Sequence, residues 1–121
     1  MLRIENFACA KRSKIYAFAY IFQNGHIMLI NKIPYQIMPI DPLVRNTQQW
    51  IVNVIDQTGS PHGKNDTRYI NPNEKVTGLG SGNIRIYTDK HGELMGYSWS
   101  TSKYSPYIDK TLNKLIIARL S

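Results

Sequence analysis

The chain has 121 residues, and 15 Lys and Arg against 8 Asp and Glu give it a formal net charge of +7. That length supports one domain, residues 1–121, with one modest core, and excludes two independent ones. At 42% apolar and 19% charged residues the chain is too hydrophobic for a disordered segment, and its longest apolar runs, Ile15 to Phe22 and Ile27 to Ile30, are far short of the roughly 20 residues a membrane span needs.

Cys9 is the single cysteine, so neither an internal disulfide nor a Cys-based zinc site is expected, which suits a cytoplasmic protein. Lys11, Arg12 and Lys14 stand before the first apolar run with no small-residue cleavage site behind it, so no signal peptide is expected. A pI near 9.6 favours a polyanionic partner.

Lys14 to Phe22, the turn Gln23-Asn24-Gly25 and His26 to Lys32 read as a β-hairpin. Asn-Gly supplies the positive φ angles of a type I′ turn between two runs rich in β-branched and aromatic residues. Both parities of the first run are apolar (Ile15, Ala17, Ala19 and Ile21; Tyr16, Phe18, Tyr20 and Phe22), which predicts a central strand. Asp41-Pro42 then offers an N-cap followed by proline at the first helical position. Leu43, Thr47, Trp50, Ile51, Val54 and Ile55 recur at spacings of three and four, which predicts an amphipathic helix capped at Gly59, with Gln48, Gln49, Asn53 and Asp56 towards water.

Five of the eight glycines and two prolines fall between Gln57 and Gly82, the composition of a long loop, within which Lys75 to Leu79 reads as a short strand. Asn83 to Thr88, the turn Asp89-Lys-His-Gly92 and Glu93 to Thr101 spell a second hairpin. Ser105-Pro106 repeats the cap-and-proline start. Ile108, Leu112, Leu115, Ile116 and Leu120 then form the stripe of a second helix, with Lys110, Lys114 and Arg119 on its far side. The predicted fold class is α+β: an antiparallel sheet of four to five strands from two hairpins, with two amphipathic helices packed on it. Tyr16, Tyr20, Trp50 and Trp99 are predicted core aromatics.

The loop Ser60-Pro-His-Gly-Lys-Asn-Asp-Thr-Arg-Tyr69 concentrates the groups that metal-independent RNA cleavage requires. His62 can move a proton, Lys64 and Arg68 can stabilise phosphate charge, and Thr67 or Tyr69 can hold an oxygen. A polar loop collects such residues for solubility as well, and a loop histidine is usually solvated. Arg85, Tyr87, Lys103 and Tyr104 are candidates for a phosphate-binding face with stacking surfaces, weighed against a dispersed, solvated charge that also includes Lys11 to Lys14, Lys90, Lys110 and Lys114. His26 and His91 follow or occupy hairpin turns. With no HxxxH spacing and no cysteine pair, no metal site and no cofactor are expected. Gly-Leu-Gly-Ser-Gly82 lacks the Gly-Lys-Ser/Thr of a phosphate loop and reads as a flexible strand entry.

Ser60 to Tyr69, followed by Gly82-Asn-Ile-Arg-Ile-Tyr-Thr-Asp-Lys-His-Gly-Glu-Leu-Met-Gly-Tyr97, resembles the C-terminal sheets of bacterial ribonuclease toxins of the barnase/RelE-like group over roughly residues 57 to 105. The resemblance implies a small basic domain that cleaves RNA without metal, with His62, Lys64, Thr67, Arg68, Arg85 and Tyr104 as positions to test. It also departs from the group, because no Glu-His pair of the barnase kind is identifiable. Ala17 to Lys32 with Ile51-Val-Asn-Val-Ile-Asp-Gln-Thr-Gly59 is similar to the start of a Nudix domain, but no glutamate lies between Asn6 and Asn73 to hold divalent metal, which argues against nucleoside diphosphate hydrolysis. The leading expectation is therefore a small, metal-independent, toxin-like ribonuclease acting on RNA or another polyanion, with an acidic protein inhibitor as a candidate partner and no membrane. The alternative is a non-catalytic module that binds nucleic acid or protein, including an inhibitor or immunity protein.

Overall fold

Alternation with a period of two, not helical periodicity, organises this chain. A computed structural model describes residues 2–4, 17–21, 25–39 and 47–120 of the protein, and none of these residues is helical. The strands are β1 (Leu2–Ile4), β2 (Ala17–Ile21), β3 (His26–Ile30), β4 (Tyr35–Ile37), β5 (Gln48–Thr58), β6 (Tyr69–Asn71), β7 (Glu74–Lys75), β8 (Gly78–Thr88), β9 (Leu94–Ser98), β10 (Ile108–Asp109) and β11 (Leu115–Leu120). Nine of them make one antiparallel sheet in the order β1-β11-β2-β3-β5-β8-β9-β10, with β4 also paired to β5, while β6 and β7 form a separate hairpin. In strand order β11 and β9 are far apart, yet Leu115 and Ile117 of β11 share one core with Tyr97 of β9. The sheet therefore curls over its own inner face.

The expected α+β class is thus corrected to all-β among the described residues. The first predicted helix is β5 over residues 48–58, where Trp50, Val52, Val54 and Asp56 are buried and alternate with half-buried Ile51, Asn53 and Ile55. Ile51, Val52, Val54 and Ile55 are β-branched, and their stiff χ1 angles suit a pleated surface flanked on both sides. The spacings of three and four also fit a two-residue repeat whose two faces are both partly apolar. The proposed start at Asp41-Pro42 lies outside the described residues, as do Cys9, Lys11 to Lys14, Tyr16, Phe22 and Asn24. The second predicted helix is replaced by β10, a turn, and β11. There Asp109 Oδ1 accepts from Thr111 N and Oγ1, both at 2.9 Å, reversing the chain where a helix was expected to continue.

Both predicted hairpins form. Ile21 pairs with His26 and Phe18 with Leu29, and Gly25 has φ +60°, so the left-handed backbone falls on the glycine. β2 lies between β11 and β3, a central position. In the second hairpin Arg85 pairs with Ser98 and Tyr87 with Gly96. Asp89 Oδ1 accepts from the backbone of His91 at 2.8 Å and of Glu93 at 3.0 Å. The longest ladder joins β5 to β8 along all eleven residues of each, from Gln48 opposite Thr88 to Thr58 opposite Gly78. The core lies on the inner face of the sheet, where Met28 of β3, Val52 and Val54 of β5, and Ile84 and Ile86 of β8 are fully buried. Trp50 is buried there too and donates Nε1–H to Thr88 Oγ1 at 2.9 Å.

The glycines of Gly-Leu-Gly-Ser-Gly82 belong to β8 itself rather than to a flexible entry. A Cβ on Gly80 would lie 2.6 Å from Arg68 Cγ, and one on Gly82 would lie 2.8 Å from His62 Cβ and against Asp66 Oδ2. Their missing side chains let the Ser60 to Arg68 loop lie directly on the sheet.

Candidate functional site

The loop that rests on these glycines is built around one carboxylate. Asp66 Oδ2 accepts from His62 N and Oδ1 from Arg68 N, both at 2.8 Å, so a short polar side chain supplies the hydrogen bonds that a regular ladder would otherwise give. Gly63, at φ +76°, makes the turn between them. Thr67 fixes the loop to β8: its N–H reaches the Ser81 carbonyl and its Oγ1 accepts from Ser81 N, each at 2.8 Å.

This placement carries His62 and Arg68 onto Asp56, which the alternation of β5 points inward. Asp56 has no exposed side-chain surface. Its Oδ2 lies 2.6 Å from His62 Nε2 and 2.7 Å from His26 Nε2, and its Oδ1 lies 2.6 Å from Arg68 Nη2. Arg68 Nη2 also donates to the Asp56 carbonyl, its Nη1 to Asp66 Oδ2 at 2.8 Å, and its Nε to the Gly78 carbonyl at 2.9 Å. Burial alone would push the Asp56 carboxyl upward. Hydrogen bonds from His62, His26 and Arg68 outweigh it and hold the group well below the usual carboxylate range.

The His62 ring is fixed at both ends. Its Nδ1 lies 2.9 Å from the Trp99 carbonyl oxygen, which can only accept, so Nδ1 carries a proton and Nε2 is the nitrogen aimed at Asp56. The ring stacks on Trp99 with centroids 5.8 Å apart and planes 11° from parallel, and His26 meets the same indole edge-on at 5.7 Å. His26, Thr58, Ser60, Pro61, His62 and Trp99 line an open cleft of about 420 Å³. His62 also walls a second cavity of about 430 Å³ with Lys64, Asn65, Asn83, Thr101 and Ser102.

The residues singled out from sequence do not converge on one place. His62 and Lys64 lie at the cavities, Thr67 anchors the loop, and the buried Arg68 directs its guanidinium to Asp56, Asp66 and Gly78 rather than outward. Arg85 and Tyr87 are buried beneath the segment that follows β9. There Arg85 donates to the Thr101 carbonyl, with Nη1 3.2 Å from Tyr87 Oη, and Tyr107 packs edge-on against Tyr87 at 4.8 Å. Lys103 and Tyr104 are exposed, with the ammonium 5.1 Å from the ring centroid. Tyr69 is half-buried at the start of β6. His91 is exposed in its turn.

Sequence reasoning left out Asp56 and His26 as site residues. Their signal was strand parity: His26 shares the inward parity of Met28 and Ile30, whereas Ile27 and Leu29 of the same strand are 55% exposed. Asp56 shares the parity of Trp50, Val52 and Val54, visible only once β5 is read as a strand.

Fold and site together define an all-β protein with a curled antiparallel sheet and a buried His–Asp–His–Arg cluster at the mouth of a cleft. Over 102 residues the chain is 50% identical to an uncharacterized protein of Acanthamoeba polyphaga mimivirus, a match covering 79% of this chain and 44% of that protein. The chain thus spans less than half the length of this relative. No family model and no solved structure matches. Among the described residues, no helix is long and apolar enough to cross a membrane.

Proposed function

We propose that the protein is a small basic RNA-acting domain whose working site is the His26–Asp56–His62 cleft. One observation carries the reading: two imidazole Nε2 atoms converge on a single buried carboxylate oxygen at the wall of an open cleft. Cleavage of RNA without metal needs one group to take the proton of the 2′-hydroxyl as its oxygen attacks phosphorus. A second group must give a proton to the 5′-oxygen as the P–O bond breaks, leaving a cyclic phosphate. His26, at the rim, has a second ring nitrogen for such a transfer, and His62, held at both nitrogens, takes part when its Nε2 leaves Asp56 for the substrate. Asp56 and the Trp99 carbonyl orient the rings, and Lys64 at the adjoining cavity supplies charge for a phosphate. The net charge of +7 supports a polyanionic substrate.

The test is cleavage of labelled RNA by chelator-treated protein. His26→Ala and His62→Ala each lower the turnover rate by roughly a hundredfold or more, while RNA affinity changes little. Circular dichroism verifies that each variant is folded. Folded wild-type protein that binds RNA and cleaves none would replace this reading with that of a non-catalytic binding module.

A further inference from the structure

The cluster carries a charge imbalance that points to another occupant. Asp56 and Asp66 bring two negative charges into the interior and Arg68 one positive charge, all with fully buried side chains, so one formal negative charge is left to balance. The imbalance sits at Asp56 Oδ2, which faces His26 Nε2 and His62 Nε2 while Arg68 takes Oδ1. A carboxylate oxygen only accepts, so a hydrogen carried by the ring nitrogen or a metal ion must stand between it and each Nε2.

The surroundings of these atoms match what metal ligands receive from their neighbours. His62 donates Nδ1–H to a backbone carbonyl, which fixes the tautomer whose Nε2 lone pair faces the cluster, and Asp56 is held by a guanidinium on its other oxygen. The three ligand atoms lie within 4.8 Å of one another. Two imidazoles and one carboxylate are a donor set that suits zinc and similar divalent transition metals, and the adjoining cleft leaves a coordination position for water or substrate.

We propose that His26 Nε2, His62 Nε2 and Asp56 Oδ2 bind one divalent transition-metal ion, of which zinc is the first to test. Ligand atoms around a tetrahedral ion with bonds of about 2.0 Å stand roughly 3.3 Å apart, so exchanging protons for the ion widens the present 2.6 and 2.7 Å contacts by several tenths of an ångström. His26, whose side chain is 20% exposed at the rim, can give that movement while His62 and Asp56 stay fixed. This inference rests on the cleft being the working site and not on RNA being its substrate. A bound ion takes the lone pairs that proton transfer by the imidazoles would use, so the two uses exclude each other in one molecule.

The experiment is titration of the chelator-stripped 121-residue chain with Zn²⁺ by calorimetry and with Co²⁺ by visible absorption. One ion is expected per chain, with cobalt bands of a low-symmetry nitrogen and oxygen site. His26→Ala leaves the His62–Asp56–Arg68 cluster in place, so it should remain folded by circular dichroism and bind at least roughly tenfold more weakly. His91→Ala should bind as wild type does. Absence of uptake by folded wild-type protein, equal affinity of wild type and His26→Ala, or loss of binding in His91→Ala would overturn the proposal. Uptake of one ion by protein whose chelator-stripped form binds RNA and cleaves none would overturn the RNA reading alone, and RNA cleavage by stripped protein that takes up no ion would overturn the metal site alone.

Discussion

Arg68 shows what a single buried residue contributes here. Its guanidinium is the fixed positive charge between Asp56 and Asp66, and it closes the loop onto β8 through the Gly78 carbonyl. Removing it leaves two carboxylates without that partner, so Arg68→Ala should cost about 3–5 kcal/mol, read as a lower urea midpoint. Gly82→Ala tests the close approach of loop and strand from the other side. A methyl there meets His62 Cβ and Asp66 Oδ2, and a loss of about 1–3 kcal/mol is expected by the same measurement. Asp56 makes stability depend on pH with a definite sign. Its folded-state pKa lies below its unfolded value, so the unfolded chain binds the proton more readily and the contribution is fully present above the unfolded pKa, near 4. The melting temperature of metal-free protein should therefore hold between about pH 5 and 7 and fall as pH drops below about 4. Asp56→Asn should flatten that acid limb; an acid limb of unchanged steepness in this variant would assign it to other carboxylates.

Among the elements, β5 and β8 carry the fold, because each is eleven residues long and they pair along their whole length. Hydrogen exchange should find the slowest amides among Val52, Val54, Ile84 and Ile86, and faster exchange in the β6–β7 hairpin, which stands apart from the main sheet and whose residues are mostly exposed. Uniform protection across both would contradict this order of local stability. The same strand explains how far sequence reasoning reached. Trp50, Ile51, Val54 and Ile55 satisfy a helical stripe, but they also satisfy a strand with two partly apolar faces, and only the neighbours of β5 decide between them. Once Asp56 was placed on a helix, its expected position was the solvent face. The site's central carboxylate was hidden by an error in period, not by any lack of chemistry.

At the scale of the whole molecule, the charge of +7 predicts retention on heparin or RNA that falls steeply between low and physiological salt, as counterions return to the phosphates. Retention that does not change with salt would exclude a polyanionic partner. Lys64, Lys103, Lys90 and Lys110 are exposed and available for such contact, whereas Arg68 and Arg85 are inside, so Lys64→Ala with Lys103→Ala should reduce the salt slope. The sequence by itself determined the basic charge, the hairpins at Gly25 and at Asp89 to Gly92, and the Ser60 to Tyr69 segment as an irregular loop that carries His62 and Lys64. Each of these is written in a few neighbouring residues, through turn chemistry or composition, and needs no distant partner. Tertiary structure alone decided that β11 inserts between β1 and β2. It alone brought His26, thirty residues from Asp56, to the same carboxylate oxygen as His62. It also committed Arg68 and Arg85 to the interior. Such outcomes depend on strand register and on which face curls inward, and both are fixed by packing among segments far apart in the chain.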